Sequence, residues 1–274
     1  MATSERREYV LGHGSEEHRR LILQSRFIGD LTEIVFAHAG LAPGMRVLDI
    51  GCGAGDVSLL AAAFVGASGS VLGIDQSPES VALATGRAKA AGLDNVRFEV
   101  GQLESFRNAE TFDALVGRLV LLYLREPAVV LRQLAELVRP GGVIAFQEME
   151  MTTARSVPDV PEFAQCGRWI VEAFTRAGVE TSMGSRLYSI FVQAGLPAPE
   201  MISGGRVEGS LESPIFEWLA GTVRSLLPMI EKTGVATKEE VGIDTLADRL
   251  RAAVGEKSAV VHAPLFVGAW VRKP

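Results

Sequence analysis

The amino-acid sequence predicts an α/β protein with a parallel, doubly wound sheet. Short apolar runs alternate with helical stretches through the middle of the chain, and a glycine-rich turn follows the first apolar run. Strands separated by helices are typical of βαβ units, in which neighbouring strands run parallel. The 274 residues are 47% apolar and 22% charged, which provides for a sizeable core and excludes a disordered chain.

Five strands and three helices are predicted in this middle part. Ser77 before Pro78 is a strong helix start, because serine caps the first turn and proline fits the first helical position. Pro127 opens another helix, whose apolar face extends to Val138. The predicted strands cover residues 47–50, 70–74, 96–100, 112–116 and 143–147, and the predicted helices cover residues 57–64, 78–91 and 127–138.

The flanking segments are expected to form a cap on the one α/β domain, because no linker rich in proline and serine separates them from it. Residues 1–41 are predicted to be an N-terminal helical lid, and residues 42–150 the ligand-binding core. Residues 151–183 are predicted to be a helical cap insertion. Residues 184–274 would complete the core and carry a second helical insertion at about 213–255.

Composition narrows the functional classes. The net charge of −6 and the lack of a basic stripe argue against a nucleic-acid partner. Cys52 and Cys166 are too few for a disulfide framework or a metal knuckle, and the histidines lack metal-ligand spacing. Residues 57–74 are uncharged, but glycine and serine interrupt them, so no membrane span is predicted. The N-terminus lacks an apolar signal region, so a cytoplasmic protein is expected.

The most informative segment is the run VLDIGCGAGD at residues 47–56, which reads as strand, tight turn and helix start. Glycines let the backbone turn sharply and let a ligand approach closely. Asp75 follows the second predicted strand, where doubly wound sheets place an acid for a ribose diol. This pattern fits either a dinucleotide or S-adenosylmethionine.

The charges around the turn favour S-adenosylmethionine. The spacing is G-x-G-x-G, and Asp56 occupies the position of the third glycine in the dinucleotide fingerprint G-x-G-x-x-G. Asp49 and Asp56 flank the turn, so a pyrophosphate there would meet two carboxylates. S-adenosylmethionine carries a sulfonium and an amino group instead, which suit acidic surroundings.

Five segments in order resemble the motifs of class I S-adenosylmethionine-dependent methyltransferases. The run at 47–56 is similar to the first motif. The others are GIDQS at 73–77, FEVGQL at 98–103, FDALV at 112–116 followed by Gly117 and Arg118, and LVRPGG at 137–142. The resemblance covers about residues 42–150 and is greatest to small-molecule enzymes of the ubiquinone and menaquinone biosynthesis type. It implies a Rossmann-like fold with helical cap insertions, S-adenosylmethionine as cofactor and S-adenosylhomocysteine as product.

The resemblance also implies which residues hold the cofactor. Gln102 is a departure, because aspartate is common at this adenine-binding position, although an amide can also pair with adenine. Tyr9 belongs to an N-terminal segment that would fold over the sulfonium, where its ring attracts a cation. The expected cofactor-binding residues are Tyr9, Asp49, Gly51, Cys52, Gly53, Asp75, Gln76, Gln102, Leu103 and Arg118.

The expected reaction is direct, in-line transfer of a methyl group to a small, largely hydrophobic molecule. Glu148, at the end of the fifth strand, and His13 are the catalytic candidates. The N/D-P-P-Y/F motif is absent after the fourth strand, which argues against methylation of a base or a glutamine amide. Some apolar residues of the insertions would line the acceptor chamber, with candidates Phe163, Trp169, Phe174, Phe191, Phe216, Trp218, Leu226, Leu227 and Met229.

Two alternative functions and the oligomeric state stay open at this point. One is an NAD-dependent oxidoreductase, which would bind the dinucleotide in the same turn. Another is a protein that binds S-adenosylmethionine without turning it over, since the sequence identifies no certain catalytic side chain. The chain could also act as a monomer or as a homodimer.

Overall fold

The structure, a computed structural model, describes Leu11 and residues 15–274, and between residues 15 and 27 it describes the side chains of residues 20, 21, 23 and 24 only. The helices are α1 (Ser15–Ala39), α2 (Asp56–Val65), α3 (Pro78–Ala90), α4 (Pro127–Ala135), α5 (Pro161–Arg176), α6 (Met183–Gln193), α7 (Ile215–Lys232), α8 (Lys238–Val241) and α9 (Leu246–Glu256). The strands are β1 (Arg46–Ile50), β2 (Ser70–Asp75), β3 (Val96–Val100), β4 (Phe112–Arg118), β5 (Val138–Glu150), β6 (Arg155–Val157), β7 (Glu200–Gly204), β8 (Val207–Glu208), β9 (Val260–His262) and β10 (Leu265–Arg272).

The central sheet has the order β3-β2-β1-β4-β5-β10-β7. Its first five strands are parallel, and β10 is antiparallel to both of its neighbours, β5 and β7. The strand order reverses between β1 and β4. In such a sheet the carboxyl ends of the strands on either side of the reversal form a crevice, which is where ligands bind. The predicted α/β, doubly wound fold is confirmed.

Side chains that alternate along the strands divide the core into two layers. Val47 and Ala114 pack with α2 and the second half of α1 on one face of the sheet. Leu48 and Leu115 point to the opposite face and pack with α4, α6 and the cap helices. Both faces of the parallel strands are therefore covered, as their near-continuous apolar sequences require.

Most predicted elements occur where the pattern placed them, and the largest difference concerns β5. Ser77 caps α3 through a hydrogen bond from the backbone N–H of Ser80, at 3.1 Å from the Ser77 hydroxyl. Val138, however, does not continue α4, because it begins β5 and pairs with Phe112 of β4. The sheet register there is irregular, since the next partners are Ala114 and Val143. The apolar spacing of Val138 fits a helix, but strand pairing determines its position.

The uncharged stretch at 57–74 is divided between α2 and β2. Within the part of the chain that the structure describes, no helix combines the length and the apolar character needed to cross a membrane.

The cap is built mainly from α5, α7 and α9, which pack against one another. A small antiparallel sheet of order β6-β9-β8, which the sequence did not predict, joins this cap. Helix α7 also contacts α1, so the cap is connected to the helix that crosses the large sheet. One wall of the crevice is therefore made by residues far from it in sequence.

Helix α1 lies unusually close to the sheet at Gly268 of β10. A Cβ atom built on Gly268 would lie 2.2 Å from Cγ2 of Val35 on α1, well inside van der Waals contact. Val35 is β-branched and 2% exposed, so its side chain has little freedom to move away. The absence of a side chain at Gly268 thus sets the distance between α1 and β10.

We expect Gly268→Ala to lower the free energy of unfolding by about 1–3 kcal/mol, because the added methyl group overpacks this contact. Gly86→Ala on α3 is the matched control, since nothing lies within 4 Å of a Cβ atom added there. The control should be neutral or stabilising by up to about 1 kcal/mol, since alanine favours a helix. Urea denaturation measures both, and equal stability of the two variants would contradict the proposed contact.

Candidate functional site

A cavity of about 580 Å³ lies at the carboxyl ends of β1, β2 and β4 and extends under the cap. The turn after β1 and the ends of β2 and β4 form one side. The other side is formed by α1, α5, α7, the end of β5 and the segment that follows β4. The cavity thus joins the polar edge of the sheet to a mostly apolar wall.

The glycine turn forms part of this cavity and is held by tight backbone packing. Gly51 has φ +63°, a conformation that side chains disfavour, and a Cβ atom there would lie 2.5 Å from Cγ2 of Val120. The backbone N–H of Cys52 donates to the carbonyl of Ile74 on β2 at 3.0 Å. The turn therefore presents backbone, and not side chains, to a ligand at Gly51 and Gly53.

Asp75 ends β2 and connects that strand to the glycine turn. Its Oδ2 accepts a hydrogen bond from the backbone N–H of Gly53 at 2.9 Å, and its Oδ1 accepts one from Ser77 N–H, also at 2.9 Å. Each carboxylate oxygen can accept about two hydrogen bonds, so each retains capacity for a ligand hydroxyl. Asp75 lines the cavity, which leaves that capacity within reach of a ligand.

Asp49 is completely buried on β1 beneath the turn, and it is not among the described residues that line the cavity. The Ser58 hydroxyl donates to its Oδ2 at 2.5 Å, while Oδ1 has no partner among the described residues. Burial raises the pKa of Asp49 to about 7, although Ser58 and the nearby Arg118 charge oppose the shift. Asp49 therefore lies beneath the turn and does not face the cavity.

Burial also raises the pKa of the Cys52 thiol, so Cys52 is not a nucleophile at neutral pH.

Arg118 lies at the end of β4, lines the cavity, and is connected to α1 by a buried hydrogen-bond chain. Its Nη1 donates to the hydroxyl of Thr32 at 3.0 Å, and that hydroxyl lies 2.7 Å from Oε1 of Gln147, to which it donates. Thr32 and Gln147 are both buried. Burial lowers the pKa of Arg118, but a guanidinium remains protonated in a protein. The chain fixes a positive charge beside the glycine turn.

Glu148 differs from the expectation of an acid that faces the acceptor. Its carboxyl group is fully buried, and its Oε1 accepts hydrogen bonds from the backbone N–H groups of Val120 and Leu121 at 3.0 and 2.8 Å. It is not among the described residues that line the cavity, whereas Leu119 and Val120 are. Burial raises the pKa of Glu148 to about 8, against the effect of those backbone hydrogen bonds. Glu148 holds the segment after β4 from behind.

The cavity brings together most of the residues that the sequence proposed for the cofactor. Asp49 lies behind the turn, and Tyr9 and His13 lie outside the described residues. The predicted residues that line the cavity are Gly51, Cys52, Gly53, Asp75, Gln76, Gln102, Leu103 and Arg118.

The apolar side of the cavity contains some of the residues that the sequence marked as candidates. Of the nine apolar candidates, Phe174 and Trp218 line the cavity, and the others pack in the core around it. Residues that the sequence analysis did not assign to the site include Leu11, Arg20, Gln133, Met149 and Met151. No motif marks them, because the cap brings together separate segments whose apolar residues look like ordinary core residues.

Comparison with known proteins agrees with this geometry. A family model described as a methyltransferase domain matches residues 41–195, which is more than half of the chain. The chain belongs to this methyltransferase family. The match includes all five motif-like segments, the glycine turn among them, and extends past α5 of the cap.

Relatives with curated names match a smaller part of the chain. An arsenite methyltransferase of Aquipseudomonas alcaligenes is 36% identical over 117 residues, which cover 40% of this chain and 34% of that protein. A ubiquinone biosynthesis O-methyltransferase of Paracidovorax citrulli is 35% identical over 111 residues, covering 39% of this chain and 45% of the other. The chain therefore matches less than half the length of either relative.

A solved structure agrees over more of the fold. The YcgJ protein from Bacillus subtilis has a TM-score of 0.55 and 17% identity, covering 88% of this chain and 97% of that one. The resemblance to class I methyltransferases is thus confirmed, and S-adenosylmethionine is the cofactor that goes with this family. Nothing in these similarities favours the dinucleotide alternative.

The raised pKa of Glu148 leads to a pH-dependent prediction for Glu148→Gln. The folded protein keeps a proton on Glu148 up to about pH 8, while the unfolded chain loses it near the ordinary value of 4.5. The contribution of Glu148 to the stability of the wild type is therefore lost as the pH rises from 4.5 to about 8. The melting temperature of Glu148→Gln should rise relative to the wild type between pH 5 and pH 8, by several degrees at the upper end.

Thermal unfolding across this pH range is the measurement. The exposed residue Glu162 on α5 offers a matched control, because Glu162→Gln changes a carboxyl group that lies outside the buried core. Its melting curve should follow that of the wild type at every pH. A constant difference between Glu148→Gln and the wild type would mean that Glu148 does not hold its proton.

Proposed function

We propose that the protein transfers the methyl group of S-adenosylmethionine to a small, largely hydrophobic molecule. The observation that carries this proposal is that the sheet-edge residues continue, within one cavity, into an apolar wall under the cap. When bound, S-adenosylmethionine supplies a methyl group on a positively charged sulfur, ready for in-line transfer to an acceptor atom.

The residues at the sheet edge fit this cofactor. Asp75 would hold the ribose hydroxyls, since both of its oxygens retain hydrogen-bonding capacity next to the cavity. Gln76, Gln102 and Leu103 follow β2 and β3 and would enclose the adenine, with the Gln102 amide able to donate and accept hydrogen bonds. The backbone at Gly51 and Gly53 allows the cofactor to approach without a steric clash.

Arg118 would hold the carboxylate of the methionine part. Its guanidinium is fixed by Thr32 and needs little rearrangement to pair with an anion. Binding of the amino group and the sulfonium would lower the raised pKa of Asp49, so that its deprotonated carboxylate beneath the turn would then contribute negative potential. The charged groups of this side thus match the charged groups of the cofactor.

The apolar wall would bind the acceptor and exclude water from the reacting atoms. Met149, Met151, Phe174 and Trp218 line this part. Thioether and aromatic side chains adapt to a hydrophobic ligand, and a dry site strengthens electrostatic interactions with the sulfonium. Proximity and orientation supply most of the rate in this proposal. Glu148 is a positioning residue, because it touches the backbone of the segment after β4 and not the cavity.

The thiol chemistry favours an organic acceptor over arsenite, the substrate in the name of one relative. Soft elements such as arsenic(III) prefer several thiolate ligands. The sequence contains two cysteines, and burial raises the thiol pKa of both Cys52 and Cys166. Cys166 packs in the core and is not among the described residues of the cavity wall.

Two measurements test the proposal. Thermal unfolding should show stabilisation by S-adenosylmethionine and S-adenosylhomocysteine and none by NAD, with about 2.7 kcal/mol expected at a hundred times the dissociation constant. Isotope-labelled methyl transfer should then be followed with hydrophobic phenols and amines, arsenite, a protein and an RNA as acceptors. Transfer to arsenite, protein or RNA alone would overturn the assignment of a small, largely hydrophobic acceptor, and binding without any transfer would favour a non-catalytic role.

We expect Asp75→Ala to weaken S-adenosylhomocysteine binding by about 10- to 100-fold, because charge-assisted hydrogen bonds to the ribose are lost. Isothermal titration calorimetry measures the dissociation constant. Asp75→Asn preserves one carbonyl oxygen for the turn. Its affinity for S-adenosylhomocysteine should lie between those of Asp75→Ala and the wild type.

Asp94→Ala is the matched control for Asp75→Ala, because Asp94 is an exposed aspartate in the turn after α3. It should bind as the wild type does. If Asp75→Ala keeps the wild-type melting temperature and the wild-type affinity, then Asp75 does not belong to the cofactor site.

A further inference from the structure

Gln133 brings an amide to the cavity wall beside apolar side chains. It lies on α4, whose buried residues Val130, Leu131 and Leu134 face the core. Val129 and Val130 also line the cavity, and they precede Gln133 by four and three residues on the helix. Residues at these spacings are neighbours on a helix surface, so the Gln133 amide borders a patch of valine side chains.

The amide oxygen of Gln133 is buried and unsatisfied. Its Oε1 is shielded from solvent, and among the described residues no hydrogen-bond donor reaches it. A buried acceptor without a partner is costly, because it has lost its hydrogen bonds to water and gained none in return. A side chain in this condition beside a cavity marks a position where a ligand can supply the missing donor.

Two other buried oxygens share this condition, but neither can serve a ligand in the same way. Oδ1 of Asp49 and Oε2 of Glu148 belong to carboxyl groups whose other oxygen is already hydrogen-bonded within the protein. Neither residue is among the described residues that line the cavity, whereas Gln133 is. Among these three, Gln133 is therefore the one whose missing partner can come from a bound molecule.

We propose that Gln133 determines acceptor specificity by accepting a hydrogen bond from a hydroxyl or N–H group on an otherwise apolar acceptor molecule. The inference rests on the proposed function, since it places the methyl acceptor in this cavity. It narrows the acceptor class to hydrophobic molecules that carry a neutral hydrogen-bond donor, such as a phenol, an alcohol or a secondary amide.

The unsatisfied acceptor oxygen explains this choice of ligand group. A carboxylate or phosphate presents only lone pairs and would not supply the missing donor to the Gln133 oxygen. A purely apolar molecule would leave the oxygen unsatisfied, so the protein would bind it less well than its hydroxylated counterpart. The expected preference is about three- to tenfold, the range of one neutral hydrogen bond.

The experiment compares 1-naphthol with 1-methylnaphthalene, a pair of nearly equal size in which a hydroxyl replaces a methyl group. Dissociation constants are measured by ligand-detected NMR titration on the full chain in the presence of saturating S-adenosylhomocysteine. The wild type should prefer 1-naphthol by about three- to tenfold. Gln133→Leu should remove this preference by weakening 1-naphthol binding while leaving 1-methylnaphthalene binding equal or stronger.

Two further variants complete the test. Gln193→Leu makes the same change at an exposed position on α6 and should keep the wild-type preference. Gln133→Glu retains an acceptor oxygen and should also keep it, which provides a second readout if Gln133→Leu does not fold. The proposal is overturned if the wild type binds both probes equally or neither, if Gln133→Leu keeps the preference, or if Gln133→Glu loses it.

The titrations distinguish a failure of the Gln133 proposal from a failure of the proposed methyltransferase function. Stabilisation by S-adenosylhomocysteine together with an unchanged probe preference in Gln133→Leu would reject the role of Gln133 and leave the cofactor site intact. Conversely, the same titrations without S-adenosylhomocysteine test Gln133 even if that compound does not bind. A lost preference in Gln133→Leu would then support the role of Gln133 while the methyltransferase proposal fails.

Discussion

The shape of the sheet edge depends on one carboxylate that is bonded to two backbone amides. Asp75 accepts from Gly53 on one side and from Ser77 on the other, so the turn after β1 and the start of α3 keep a fixed relation. Backbone donors do not change when neighbouring side chains are substituted. These hydrogen bonds therefore hold the sheet-edge side of the cavity in a fixed shape. The other walls come from separate segments of the chain, whose side chains can be substituted without affecting these bonds.

The charged groups around the site differ in what they contact. The charges of Asp75 and Arg118 lie on the cavity wall at the sheet edge, where a charged cofactor would be held. The buried acids Asp49 and Glu148 lie behind the wall and act on a serine hydroxyl and on backbone amides. Further under the cap, thioether, aromatic and amide groups such as Met149 and Gln133 predominate in the proposed acceptor chamber.

The sequence predicted the sheet and its edge well, because short-range patterns determine both. The glycine turn and Asp75 have fixed spacing relative to their strands, and the structure brings them to one cavity. The role of Glu148 could not be predicted in this way, because its position at a strand end does not reveal that its carboxyl group turns toward the backbone of Val120. The proposed role of Gln133 could not be predicted either, because it depends on its Oε1 having no hydrogen-bond partner among the described residues and not on any local pattern.

The position of β10 inside the sheet has a consequence for the order in which the chain assembles during synthesis. Among the described strands, β7 pairs with the large sheet through β10 alone, and β10 is made about 60 residues later, after the second set of cap helices. Until then β7 has no sheet partner and β5 has an unpaired edge, which exposes backbone groups to unwanted pairing. Helix α1 also packs against β10, so the wall that it gives the cavity is completed at the same late moment. A ribosome-bound chain would thus carry the glycine turn and Asp75 long before it could enclose a ligand.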